Sequence, residues 1–297
     1  MNKKIFIIIL IILLALSLAI WASTNKNDKV ENENLKIVTS FYPIYVMTAN
    51  LTQNIEGIEL VNMTDVNVGC LHDYTISTSD MKKIENADVY IQNGLGLESF
   101  MQKIVTAYPN LKVIDSSINI LNKIEEENET NPHIWTSIEN YIKQVETICQ
   151  KLCEYDAKNA VAYNLNCTNY IQTLNEQKQK YEAELKNLNG KKAICLNEGL
   201  EYLLSELKMD VTPVKTNHEE STMSAEMLKN LITKMKNENI KIIVVGKNDN
   251  IKNAETLANE TGAKIYELDS ALTGEPAVNS YIEKLKSNFL VLKYMFN

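Results

Sequence analysis

From Leu35 onward, short apolar runs alternate with longer stretches of mixed character. Leu35–Ser40, Ile58–Met63, Ala87–Gly94 and Leu111–Ser116 read as strands, short and bounded by turn residues. Pro43–Asn54, Ser79–Asn86 and Glu98–Tyr108 read as the helices between them, the first opened by proline in its first turn. Such alternation predicts parallel strands with right-handed crossovers. The rhythm breaks at Thr136, where one helix runs to about Cys153 and a longer one from about Lys158 to Asn189. Ala162, Leu165, Tyr170, Leu174, Tyr181 and Leu185 give the longer helix its apolar stripe, and Gly190 stands in the stop position. About thirty residues at 1.5 Å each span roughly 45 Å, more than a small domain needs, so this helix is predicted to be a strut. Alternation then resumes, with strands at Ala193–Leu196, Asp210–Lys215, Ile240–Val245 and Lys264–Leu268. Helices are predicted at Glu198–Leu207, Ser224–Asn237, Ile251–Glu260 and Val278–Met295. The predicted fold class is α/β: a lobe over residues 35–157, a linking helix over 158–189 and a second lobe over 190–297, with about four parallel strands per lobe.

The segment before Leu35 follows a different pattern. Met1-Asn2-Lys3-Lys4 is a basic head, and Ile5–Trp21 is almost wholly apolar with only Ser17 to interrupt it. An amphipathic core helix would carry a polar stripe. The run is long for a cleaved signal and at the short end for a membrane span. Residues 1–22 are read as a signal peptide or signal anchor, and residues 23–34 as a flexible polar tether. The lysines hold the head inside, which predicts an extracytoplasmic, cell-surface location for the rest. No cysteine closes the segment, and the first is Cys70, which argues against a lipid anchor.

The 297 residues are enough for two domains, and the apolar fraction of 45% is that of a globular chain. A net charge of -8 argues against nucleic acid, which asks for a basic face, and is compatible with attracting cations. The five cysteines are an odd number without a C-x-x-C pair. Cys149 and Cys153, four apart on a predicted helix, are expected to pack as small apolar residues rather than bridge. Cys70 reads as a buried thiol or, two residues before His72, as a soft ligand.

The chain has three histidines, and two stand in matching places. Gly69-Cys70-Leu71-His72-Asp73-Tyr74 precedes Ser77-Thr78-Ser79-Asp80, a capping box that opens a helix. Asn131-Pro132-His133-Ile134-Trp135 precedes Thr136-Ser137-Ile138-Glu139, read as another. A helix N-terminus disfavours imidazolium and keeps the ring able to ligate. Ligands of α/β folds lie beyond the carboxyl ends of the strands. In the second half those positions hold Asn197 with Glu198, and Asp269. Imidazole with carboxylate suits Zn2+ or Mn2+, and Asp73 is a candidate acceptor to fix the His72 tautomer. Other readings stand beside this one: Asp269 as the cap of its own turn, Glu198 as a first-turn acid, and His218-Glu219-Glu220 as a solvated charged turn.

Those two histidine motifs, with Asn93-Gly94-Leu95-Gly96-Leu97-Glu98, Glu255-Thr256-Leu257-Ala258, Glu260–Lys264 and Leu268-Asp269-Ser270-Ala271-Leu272-Thr273-Gly274, resemble the zinc- and manganese-binding solute-binding proteins of ABC transporters. The resemblance covers nearly everything after Leu35. It implies two Rossmann-like lobes tied by one rigid helix, a metal cleft between them, and a transported Zn2+ or Mn2+ ion rather than a resident cofactor. It further implies an ABC permease as partner, a monomer, and no enzymatic activity. His72, His133 and Asp269 fall on the family's ligand positions. The third ligand is usually histidine or glutamate, where this chain has Asn197; Glu198 or His218 are the substitutes within reach. An oxygen ligand in place of an imidazole shifts preference toward Mn2+, although Zn2+ outcompetes Mn2+ at most mixed sites. Two other classes fit the same residues. A metallohydrolase would use Glu198 as base, but H-E-x-x-H and a nucleophile elbow are absent from the sequence. An adhesin or receptor with a degenerate metal site would account for Asn197.

Overall fold

The computed structural model describes residues 34–295 apart from 67, 69, 70, 72, 73, 126–128 and 215–222. The N-terminal apolar run and the tether as far as residue 33 therefore lie outside the described residues, as do Cys70, His72, Asp73 and His218.

The short apolar runs from Leu35 onward become strands: β1 Leu35–Thr39, β2 Ile58–Asn62, β3 Val89–Gln92 and β4 Lys112–Asp115 form one sheet in the order β2-β1-β3-β4. β5 Lys192–Cys195, β6 Asp210–Pro213, β7 Ile242–Gly246 and β8 Lys264–Leu268 form a second in the order β6-β5-β7-β8. Every pairing is parallel, so the two sheets repeat one topology, and each has a switch point where the chain changes direction across the sheet. The intervening helices are α1 Tyr42–Thr52, α2 Thr78–Ile84, α3 Gln102–Ala107, α4 Ile138–Tyr155, α5 Ala160–Glu184, α6 Glu201–Glu206, α7 Ala225–Asn237, α8 Lys252–Thr261 and α9 Ser280–Tyr294.

The period-two alternation of the strands divides the interior. Val38, Met63, Ile84 and Tyr90 fill a core on one side of the first sheet. Ile194, Met235, Ile243, Val245 and Leu257 fill its counterpart on the second. The opposite strand faces, carrying Ile37, Ile91, Cys195, Val244 and Leu268, join one shared core with α4, α5 and α9. All of it belongs to a single compact unit beginning at Leu35.

α5 is the long helix, 25 residues or about 37 Å, with short 3-10 turns at Ala157–Asn159 and Lys186–Leu188. Its buried seam is Tyr163, Cys167, Tyr170, Leu174 and Tyr181. The seam differs from the predicted stripe at its start: Leu165 is 60% exposed and Tyr163 is fully buried. The difference is polar in origin, because Tyr163 donates its hydroxyl to Asp156 at 2.9 Å and Tyr170 meets the Tyr141 hydroxyl at 3.0 Å. Near its start α5 grips α1, through Asn166 Nδ2 donating to Leu51 O and Gln53 O. Near its end it grips α9, through the Tyr181 hydroxyl on Leu285 O. Between these, Tyr141 and Tyr281 stack at 3.6 Å and 7°. Cys149, Cys153, Cys167 and Cys195 are unbridged thiols, as packing rather than pairing predicts for the first two.

One cap sits as predicted and one does not. Ser77 and Asp80 form a complete capping box on α2. The second helix is capped by Ser137 rather than Thr136, with the Asn140 N–H on Ser137 Oγ at 3.1 Å. Residues Ile134–Thr136 form a 3-10 turn first, which takes Thr136 into a bond to His133 O at 3.0 Å. Glu139 is not the box partner. Glu206, from the end of α6, accepts the Ile138 N–H at 2.7 Å and the Glu139 N–H at 3.2 Å, so a carboxylate from the second half sits on the N-terminus of a first-half helix.

Candidate metal centre

His133 is positioned by a chain of buried amides. Glu98 accepts the Asn93 N–H at 2.7 Å and the Gly94 N–H at 3.1 Å, folding the loop after β3 on itself. Gly94 is required there: its φ is +92°, and a Cβ would fall 2.1 Å from Asp115 Oδ1. Asn93 then donates through Nδ2 to Pro132 O at 2.9 Å, while Gln144 holds Asn93 Oδ1 at 3.0 Å. Burial pushes the Glu98 carboxyl up to about 7, against the two backbone donors that favour its ionised form.

Asn131 fixes the ring. Its Nδ2 donates to Glu198 O at 3.2 Å, so its Oδ1 is the acceptor, taking the His133 N–H at 3.0 Å and lying 2.9 Å from Nδ1. The proton is thereby placed on Nδ1 and the lone pair on Nε2. His133 is 4% exposed, and its Nε2 stands 3.8 Å from Glu198 Oε1. Two ligands of one tetrahedral Zn2+, each about 2.0–2.1 Å from it, lie roughly 3.3 Å apart, so this gap is close to a shared-ion spacing. The role assigned in the sequence to Asp73 at the other histidine is filled at this one by Asn131, part of the recognised motif but unassigned there.

The second half brings its loops to the same place. Asn197 follows β5, and its Nδ2 donates at 2.9 Å to Asp249 Oδ2, beyond β7. The same carboxylate oxygen accepts the Gly246 N–H at 2.7 Å. Carboxylate against amide leaves one sensible orientation, with Asn197 Oδ1 turned away from Asp249. A Cβ built on Gly199 would lie 3.0 Å from that Oδ1, 3.4 Å from the His133 ring and 3.6 Å from Ser270 Cβ, which locates three loops around one glycine. Trp135 closes the arrangement: its Nε1 donates to Ser270 O at 2.9 Å, and its ring lies 5.2 Å from that of His133.

Asp269 is held differently. Asn288, buried on α9, clamps its backbone at both ends, donating to Asp269 O and accepting the Asp269 N–H, each at 2.8 Å. Asp269 Oδ1 accepts the Ala271 N–H at 2.8 Å, which is the turn-capping role foreseen for it. Asp269 Oδ2 pairs with Lys284 Nζ at 2.7 Å. The structure thus brings His133, Glu198 and Asn197 together, and Asp269 to the adjoining loop with its carboxylate engaged. Among the described residues no three imidazole, thiol or carboxylate groups are gathered as a metal ion would hold them. Sequence reasoning missed Asn131, Trp135, Asp249, Asn288 and Lys284. Asn131 and Trp135 stood inside the histidine motif without an assigned role, whereas Asp249, Asn288 and Lys284 carried no local signal.

A family model described as zinc-uptake complex component A, periplasmic, matches residues 37–294. The chain belongs to this family. It is 25% identical, over 92% of its length and 91% of the relative's, to the high-affinity zinc uptake system protein ZnuA of Bacillus subtilis. It is also 25% identical to the zinc-binding protein AdcA of Streptococcus pyogenes, over 89% of its own length but only 55% of that longer protein. In three dimensions it is similar to the SBP FpvC from Pseudomonas aeruginosa in complex with Mn2+, with a TM-score of 0.78 and 26% identity over 88% of this chain and 97% of that one. The α/β fold of two parallel four-stranded sheets with one long helix is the one this family adopts, and the family is one of uptake components rather than enzymes.

Proposed function

We propose that this chain is the extracytoplasmic substrate-binding protein of a metal ABC uptake system, capturing Zn2+ or Mn2+ as cargo for a membrane permease. The observation that carries the reading is the His133 ring, buried with its lone pair on Nε2 and facing Glu198 from the other half of the fold at 3.8 Å. The family's zinc-uptake description and the Mn2+-bound structural neighbour support both ions as candidates. In this reading the cation is held by His133, Glu198 and Asp269, with Asn197 contributing its carbonyl oxygen. His72, outside the described residues, supplies the remaining imidazole from the matching loop. Two lobes, residues 35–157 and 190–297, close on the ion, and the helix within 158–189 keeps them in register. Residues 1–22 tether the monomeric receptor to the membrane it serves. His72 and His133 make an imidazole pair suited to zinc, whereas the oxygen-rich second half admits Mn2+.

Elemental analysis of the full chain, purified without a His-tag, tests the reading. The expected result is about one zinc or manganese per chain, restored by reloading after chelation. A protein that neither co-purifies with metal nor binds either ion at micromolar concentration would overturn it.

A further inference from the structure

The carboxylate assigned as the late ligand already has a cation. Lys284 Nζ sits 2.7 Å from Asp269 Oδ2, and both side chains are largely shielded, at 17% and 16% exposure. This pair is built rather than incidental. The lysine stem passes over Gly274, where a Cβ would come 2.9 Å from Lys284 Cε and 2.6 Å from the Tyr42 hydroxyl. Asn288, one turn along α9, clamps the backbone of Asp269 from the same helix. The ammonium also lies 6.0 Å from the Tyr42 ring, contributed by the first half. No binding role in the reading above uses Lys284.

We infer that Lys284 is an internal competitor for the cation: it occupies Asp269 in the empty protein, must yield that oxygen when the metal enters, and recaptures it when the metal leaves. The inference rests on the metal-site reading proposed above. Its physical basis is charge. A divalent ion arriving at Asp269 displaces an ammonium from a partly desolvated carboxylate, so each binding event breaks an ion pair and each release restores one. Lys284 therefore holds affinity below what the ligands alone would give and speeds release. A metal-delivery protein needs both, because cargo bound too tightly cannot be handed on. The displaced ammonium has a destination within reach in the Tyr42 ring face.

The test is a competition titration of the full chain against a chromophoric chelator, with Zn2+ alone and Mn2+ alone, and stopped-flow release into excess chelator. Lys284→Met and Lys284→Gln should each tighten binding about tenfold and slow release, while Lys284→Arg stays near the parent. In an Asp269→Asn background, Lys284→Met should change little, since the ammonium then has no carboxylate to contest. Unchanged or weaker binding in both neutral variants, with Asp269→Asn still weakening it, would overturn the competitor and leave the site standing. If Asp269→Asn leaves affinity unchanged, Asp269 is not a ligand, and the site assignment and the competitor fall together. Melting curves of the metal-free variants confirm that each is folded.

Discussion

The two halves share one sheet order yet hold their candidate ligands in opposite ways. In the first half, Glu98, Asn93 and Asn131 act in series to bury His133 in a single tautomer. In the second, Asn197 is tied to Asp249 and Asp269 to Lys284, so these two side chains each hold a polar partner within their own half. The difference follows from chemistry. A neutral imidazole can be buried and aimed without a counter-charge, whereas a partly buried carboxylate without a partner costs too much to leave alone. In the proposed reading the first half supplies a rigid anchor, and the second supplies groups that exchange partners.

The sharpest way to break this comparison is at the anchor. His133→Ala should weaken Zn2+ binding about 100-fold or more by calorimetry, with the parent's melting temperature in the absence of metal nearly kept. An equal loss of fold would make His133 a structural residue instead. The buried carboxyl behind it comes next. Glu98 has a folded pKa of about 7, above its ordinary value, so the folded state binds the extra proton between roughly pH 4.5 and 7. Stability is therefore fully present below that window and falls as pH rises through it, by roughly 3 kcal/mol. Glu98→Gln should flatten the slope in denaturant titrations across that range, and an unaltered slope would place the titrating group elsewhere. The mildest effect is expected at the tautomer: Asn131→Ala should cost about tenfold in affinity, because either ring nitrogen can then carry the proton. No loss would mean that the ring needs no such guide.

Much of the fold was legible because each strand is a short apolar run and each sheet is stitched from adjacent βα units. The helix boundaries and faces were less so. A polar-rich helix such as α5 offers several stripes of similar apolar content, and tertiary hydrogen bonds from Tyr163 and Tyr170 choose among them. The cap at α4 moved by one residue because a 3-10 turn and a distant glutamate, Glu206, satisfy backbone groups that local reading assigned to Thr136 and Glu139. At the proposed site, the candidate ligands announce themselves by type and loop position. Those that aim or oppose them do not: Lys284 lies fifteen residues beyond Asp269 on a separate helix, and Asp249 is fifty-two beyond Asn197, brought near only by the pairing of β5 with β7.

The central claim, that one cation joins His133 of the first half to the carboxylates of the second, is tested most directly by anomalous diffraction from crystals of the full chain loaded with Zn2+. The account predicts a single strong peak about 2.0–2.1 Å from His133 Nε2, with Asp269 released from Lys284 and turned toward the ion. A peak bound elsewhere, or one that leaves His133 Nε2 without a metal, would contradict it.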